Sequence, residues 1–138
     1  MRPILLLCLL LPLTGCAQLW PRHDPNMAWI DLDPAHGQDL GFSQVDGHDL
    51  DDADYVQLSP ERHELQVRLR FEVAASNVGT PGQDLPRTCL LNLEYAGFNP
   101  GQRYRLETGS HGFRPWAKLR DEQGYTLAKA REGRCGDV

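Results

Sequence analysis

The segment from His63 to Val73 constrains the fold more than any other part of this 138-residue sequence, because apolar and polar side chains alternate along it without a break. A period of two is typical of a β-strand with one buried and one solvated face, whereas a helix would spread the apolar residues around its circumference. The apolar positions are Leu65, Val67, Leu69, Phe71 and Val73. We predict that this strand lies at the centre of a sheet.

Shorter strand-like runs, separated by turn residues, occupy most of the chain after residue 27. They lie at 28–32, 42–45, 55–58, 89–95, 103–108 and 116–120, while 125–130 fits either a strand or a short helix. Asp46-Gly47 predicts a tight hairpin turn, 75–87 has the Gly and Pro of a long loop, and 133–138 is predicted to be a tail. The pattern indicates an all-β fold, an antiparallel β-sandwich or small barrel of about seven or eight strands.

The first residues have the organisation of an export signal. Arg2 precedes an apolar run at 3–13, which is too short to cross a bilayer as a helix, since that requires about 20 residues. Leu13-Thr14-Gly15-Cys16 then resembles the lipobox of bacterial lipoproteins. The resemblance implies cleavage before Cys16 and lipid attachment to Cys16. We expect a signal peptide at 1–15, a lipidated tether at 16–26 and a single β domain at 27–138; an ordinary secretory signal is the alternative.

Charge and the residue after the cysteine suggest where the chain acts. The net charge of −5 argues against binding to nucleic acid or to anionic lipid headgroups. Membrane attachment would therefore depend on the lipid at Cys16, and two or more acyl chains are needed for stable anchoring. In the lipoproteins that the motif resembles, Asp after the cysteine indicates retention at the inner membrane. Ala17 stands there instead, so we expect a periplasm-facing position on the outer membrane.

The positions of the four cysteines predict different roles for them. Cys8 would leave with the signal peptide and Cys16 would carry lipid, so Cys89 and Cys135 remain, 46 residues apart. In an oxidising compartment one disulfide is the simplest expectation, and two free thiols are the alternative. A bond that closes a loop of this length stabilises a domain by about 4 kcal/mol in the chain-entropy model.

The sequence gives only weak signals for a metal site or a catalytic site. The aspartates of 46–54 do not have EF-hand spacing, so we interpret them as a solvated hairpin and loop. The histidines are dispersed and interpreted as surface residues, although His36 and His48 in neighbouring acidic loops leave a weak transition-metal site as an alternative. Ser110 adjoins His111 without any nucleophile motif around it. The sequence predicts no catalytic residue, no metal ligand and no cofactor.

Four arginines are the candidate binding residues. They would form a basic stripe for an acidic partner, such as a glycan, peptidoglycan carboxylates or another envelope protein, if their strands are neighbours; the alternative is the ordinary solvated face of a sheet. They are Arg68, Arg70, Arg103 and Arg105. Four aromatic residues could add stacking, or belong to the core. They are Trp29, Tyr104, Phe113 and Trp116.

Two stretches resemble the PEGA-type β modules of exported bacterial proteins. They are Val45-Asp46-Gly47 and the run from Leu58 to Leu69, which reads Leu-Ser-Pro-Glu-Arg-His-Glu-Leu-Gln-Val-Arg-Leu. Glu61 stands where those modules have glycine. The resemblance implies a sandwich-like module and transfers no catalytic residue.

These features together predict a lipid-anchored, non-enzymatic binding or assembly module of the cell envelope, with membrane contact through Cys16. Two alternatives stay open. One is a small hydrolytic or metal-dependent envelope enzyme, and the other is a structural spacer with no specific ligand.

Overall fold

The computed structural model describes residues 23–77 and 82–138, so the predicted signal peptide, Cys16 and the first part of the tether lie outside the described residues. Within those ranges the chain forms ten strands and one turn of 3-10 helix at Ala75–Asn77, and they contain no helical segment that could serve as a membrane span. The strands are β1 (Ala28–Pro34), β2 (Asp39–Val45), β3 (His48–Ala53), β4 (Tyr55–Leu58), β5 (His63–Val73), β6 (Leu85–Tyr95), β7 (Arg103–His111), β8 (Arg114–Arg120), β9 (Thr126–Lys129) and β10 (Arg131–Cys135).

The strands form two five-stranded sheets of a β-sandwich. Sheet A has the order β4-β1-β7-β8-β9, and sheet B has the order β10-β6-β5-β2-β3. Neighbouring strands are antiparallel except for β1 and β7, which are parallel. The predicted all-β sandwich is confirmed, and the barrel alternative is not. The number of strands was underestimated, because β3 and β10 were assigned to a loop and a tail.

Strand β5 lies at the centre of sheet B, as its alternation predicts. Its five alternating apolar side chains are buried, and Leu69 has no accessible surface. They share one hydrophobic core with inward side chains of sheet A, among them Ile30, Leu106 and Leu119. Burial of one such side chain contributes about 1.5–3 kcal/mol, so the contact between the sheets is the main source of stability.

The β2–β3 hairpin contains the predicted turn. Asp46 and Gly47 have φ angles of 50° and 79°, and they connect Val45 directly to its cross-strand partner His48. Two consecutive positive φ angles are the requirement of a type I′ turn. This turn places the following acidic residues beside β2, so they pair as β3 although aspartate is uncommon in strands.

An aromatic cluster closes the end of the sandwich where β5 begins. Phe98, in the β6–β7 loop, packs edge-on against Tyr95 and Tyr104, with ring centroids 4.9 and 5.2 Å away, and lies 5.9 Å from the ring of His63. The hydroxyl of Tyr104 accepts a hydrogen bond from the amide of Asn99 at 2.9 Å, and burial raises the pKa of this phenol. Tyr104 therefore belongs to the core.

A disulfide joins Cys89 on β6 to Cys135 on β10. The two residues are direct cross-strand partners, and Cys89 is fully buried. Strand β10 is an edge strand whose pairing is interrupted between Glu132 and Cys135. The covalent link therefore holds an edge strand whose own ladder of hydrogen bonds is incomplete.

Candidate functional site

The four arginines predicted to form a basic stripe do not come together. Arg68 and Arg70 lie on β5 in sheet B, whereas Arg103 and Arg105 lie on β7 in sheet A. Strand β7 pairs with β1 and β8, and β5 pairs with β6 and β2, so the two strands are not neighbours. The basic stripe hypothesis is therefore wrong.

Each of these arginines is also paired with a carboxylate. The pairs are Arg68–Asp52, Arg70–Asp39, Arg103–Asp31 and Arg105–Asp33. The nitrogen–oxygen distance is 2.8 Å for Arg70 and Asp39, and this hydrogen bond raises the pKa of Arg70. Since their charge is balanced locally, the four arginines are poorly suited to recruiting an acidic partner.

A concave site lies elsewhere on the outer face of sheet B. Polar side chains at directly paired positions cross all five strands of the sheet. From β3 to β10 they are Asp49, Gln44, Gln66, Asn92 and Arg131. A groove of about 480 Å³ is lined by the last four and bordered by Glu64, Glu94 and Glu132. We call it the amide groove.

Hydrogen bonds between side chains orient the amides of this groove. Ser43 Oγ donates to Gln66 Oε1 at 3.0 Å, and Gln66 Nε2 donates to Asn92 Oδ1 at 2.9 Å. Gln44 Nε2 donates to Asp49 Oδ1 at 2.7 Å. Within the described residues, the side-chain nitrogen Nδ2 of Asn92 and the side-chain oxygen Oε1 of Gln44 are left without hydrogen-bond partners. A donor and an acceptor are thus available to a ligand in the groove.

The charges at the border of the amide groove are partly balanced. Glu64 and Glu94 are cross-strand partners, and Arg62 lies between them, with its Nη2 3.6 and 2.5 Å from their carboxylates. Arg131 and Glu132 add one charge of each sign on β10. Amides together with mixed charges favour a ligand that is held by many hydrogen bonds, such as one rich in hydroxyl groups.

Asp46, His63 and Ser59 have distances that resemble a catalytic triad. Asp46 Oδ2 lies 2.6 Å from Nδ1 of His63, and Ser59 Oγ lies 3.1 Å from its Nε2. However, Nε2 is also 2.8 Å from the carbonyl oxygen of Ser59, which can only accept, and the Ser59 hydroxyl donates to Glu61 at 2.5 Å. A histidine that activates serine must accept the hydroxyl proton at this nitrogen. The three residues therefore form a structural hydrogen-bond network.

His63 was predicted to be a surface residue, and that prediction is wrong. Only 6% of it is exposed, because it starts the central strand β5 beneath the β2–β3 turn. The signal was present in the sequence, in the Asp-Gly turn and the histidine that follows Pro60 within the PEGA-like stretch. What the sequence does not reveal is the strand register that brings the turn and His63 together.

Trp29 is not available for stacking with a ligand. Its ring is parallel to that of Tyr55, with centroids 4.3 Å apart, and the guanidinium carbon of Arg103 lies 5.0 Å from its centroid. Its Nε1 donates to Asp31 at 2.6 Å, and the residue is only 4% exposed. This tryptophan stabilises the outer face of sheet A.

Ser110 and His111 are neighbours on β7, so their side chains point to opposite sides of sheet A. The Ser110 hydroxyl accepts a hydrogen bond from Gln38 Nε2 at 3.0 Å, while the His111 ring lies 6.3 Å from that of Trp116. They are not a nucleophile and its base. Trp116 is partly exposed and Phe113 is 42% exposed, so these are the two accessible members of the predicted aromatic set.

The residues of the amide groove were not predicted from the sequence. The alternation along β5 predicts that Gln66 is solvated, but its alignment with Gln44 and Asn92 depends on strand register across the whole sheet. Over the described ranges, no group of three or more His, Cys, Asp or Glu side chains is arranged to hold a metal ion.

In comparisons with protein-family models, curated proteins and solved structures, nothing matches this chain.

Proposed function

We propose that this protein is a lipid-anchored, non-enzymatic binding module of the bacterial cell envelope, and that the amide groove binds a glycan. The anchor would be the lipid on Cys16, and the site would face the periplasm from the outer membrane. The lipobox-like Leu13-Thr14-Gly15-Cys16 supports the anchor. The disulfide between Cys89 and Cys135 supports an oxidising compartment, since such bonds are rare in cytosolic proteins.

The proposal depends on one observation, the unbroken row of polar side chains across sheet B. A solvated sheet face needs polar residues, but it does not need amides at paired positions that are already held by side-chain hydrogen bonds. Pre-oriented donors and acceptors lose little rotamer entropy when a ligand binds. Sugar hydroxyls both donate and accept, so they complement the free groups of Gln44 and Asn92.

Cosedimentation with purified peptidoglycan sacculi tests the proposal. The wild-type protein is expected to sediment with the sacculi. Gln44→Ala combined with Asn92→Ala removes the free acceptor and donor, together with the Asn92 oxygen that orients Gln66. Loss of two hydrogen bonds is expected to weaken binding by about tenfold or more. Glu72→Ala is the matched control, because Glu72 is exposed on β5 beyond the groove.

Two results would contradict the glycan proposal. If the wild-type protein does not sediment with sacculi, the spacer alternative is favoured. If the combined variant sediments as well as the wild type, the amide groove is not the binding site. A hydrolytic role instead predicts release of soluble fragments from the sacculi, which the non-enzymatic proposal does not allow.

A further inference from the structure

The only two lysines of the sequence, Lys118 and Lys129, stand directly opposite each other on β8 and β9. Direct partners in an antiparallel pair point to the same face with Cβ atoms about 4.5–5.5 Å apart, and like charges there are destabilising. Every Asp and Glu of the chain lies in the described ranges, yet neither lysine forms an ion pair with any of them. No ion pair of either lysine offsets this repulsion.

The carboxylate on the strand position opposite Lys118 is already paired with another cation. Glu107 is the cross-strand partner of Lys118 on β7, but its Oε2 lies 2.5 Å from Nε of Arg120. Arg114, which points to the same face as Lys118, is exposed and forms no ion pair with the described residues either. Three cations thus share one area of sheet A, in contrast to the paired arginines of β5 and β7.

Trp116 lies flat in the middle of this area. A Cβ on Gly109 would come within 2.5 Å of the indole, so the ring rests directly on the backbone of β7. The ammonium of Lys118 is 5.1 Å from the ring centroid, and His111 lies alongside at 6.3 Å. We call Arg114, Trp116, Lys118 and Lys129 the tryptophan patch.

We propose that the tryptophan patch binds an acidic saccharide, a sugar that carries a carboxylate. The carboxylate would lie between Lys118 and Lys129, where it converts their repulsion into two charge-assisted hydrogen bonds. The sugar ring would stack on Trp116, whose partly exposed face is apolar. A long nucleic acid fits poorly, because the three cations lie in a protein of net charge −5. This site is on the other sheet from the amide groove and does not depend on it.

Calorimetric titration with a hexamer of galacturonic acid tests the site, with maltohexaose as the neutral control. The wild type is expected to bind the acidic hexamer in preference to the neutral one, and more weakly as salt screens the charges. Lys118→Gln with Lys129→Gln, and separately Trp116→Ala, are each expected to weaken binding by about tenfold or more. The control Arg70→Gln with Arg134→Gln removes the same charge from sheet B and is expected to change affinity by less than about twofold.

Chemical acetylation supplies a second measurement. Bound hexamer is expected to slow acetylation of both lysines, as read by peptide mass spectrometry. The proposal is overturned if the acidic hexamer does not bind, if maltohexaose binds equally well, or if the double lysine variant keeps wild-type affinity. The Gln44→Ala, Asn92→Ala variant should retain binding to the hexamer, so failure of this site and failure of the amide groove are distinguishable.

Discussion

Asp46 and His63 are 17 residues apart in the chain, and their side chains meet with Oδ2 2.6 Å from Nδ1. The other carboxylate oxygen of Asp46 accepts a hydrogen bond from the backbone amide of Glu64 at 2.8 Å. One turn residue is therefore joined to the first two residues of β5. These contacts help to set the register of β2 on β5, which in turn aligns Gln44 with Gln66 in the amide groove.

The Asp46 contacts predict a specific loss of stability in acid. The hydrogen bond from the Glu64 amide, followed by that from His63, lowers the pKa of Asp46 below its ordinary value of 3.8. Its contribution to folding is therefore fully present above that value, and it is lost as the pH falls through the lower, folded-state pKa. Asp46→Asn should unfold more easily than the wild type at about pH 7, and the difference should shrink at about pH 2.

Thermal unfolding followed by circular dichroism across this pH range measures the effect. Asp54→Asn is the control, because Asp54 is exposed and forms no ion pair with the described residues. A difference between wild type and Asp46→Asn that stays constant down to about pH 2 would show that the carboxylate charge is not what stabilises the turn.

Removal of the disulfide should destabilise the domain and loosen β10. The chain-entropy model assigns about 4 kcal/mol to the 46-residue separation, and measured losses are about 2–5 kcal/mol. Reductant should therefore lower the free energy of unfolding of the wild type, as measured by urea denaturation, and speed amide exchange at 131–135. The Cys89→Ala, Cys135→Ala variant should be insensitive to reductant. If reductant leaves wild-type unfolding unchanged, the two cysteines are not bonded in solution.

Local patterns predicted the central strand and the hairpin turn because their determinants are local. The alternation along His63–Val73 indicates which face of the strand is buried, and Asp46-Gly47 readily adopts the positive φ angles that the turn requires. Strand β3 was missed because its aspartates disfavour strands. It forms since a two-residue turn holds it against β2 and Asp52 reaches Arg68.

The arrangement of strands could not be predicted in the same way. Residues on β5 and β7 have the same alternating pattern, but nothing in that pattern says that β7 pairs in parallel with β1. The basic stripe hypothesis was wrong for this reason. The amide groove and the tryptophan patch went unnoticed because each depends on which residues become cross-strand partners.

Gly109→Ala should displace the ring of Trp116. A Cβ at this position would lie 2.5 Å from Cζ2 of the indole, which is closer than atoms approach without rearrangement. Overpacking of this kind costs about 1–3 kcal/mol, so the free energy of unfolding should fall by that amount and tryptophan fluorescence should shift. Gly82→Ala is the matched control, because a Cβ there meets no atom within 4 Å. Equal stability of the two variants would mean that the indole does not rest on β7.

Cys16→Ala should release the protein from membranes. His23 is the first described residue, and its Nε2 lies 2.9 Å from the carbonyl oxygen of Met27. His23 stands seven positions after Cys16, and an extended chain spans at most about 3.6 Å per residue, so the lipid would keep the domain within about 25 Å of the bilayer. With a net charge of −5 the protein has no electrostatic attraction to anionic lipid that could replace the anchor.

Cell fractionation should therefore find the variant in the soluble periplasmic fraction, while the Cys89→Ala, Cys135→Ala variant stays with the membranes. Retention of Cys16→Ala in the membrane fraction would refute lipid anchoring at this residue.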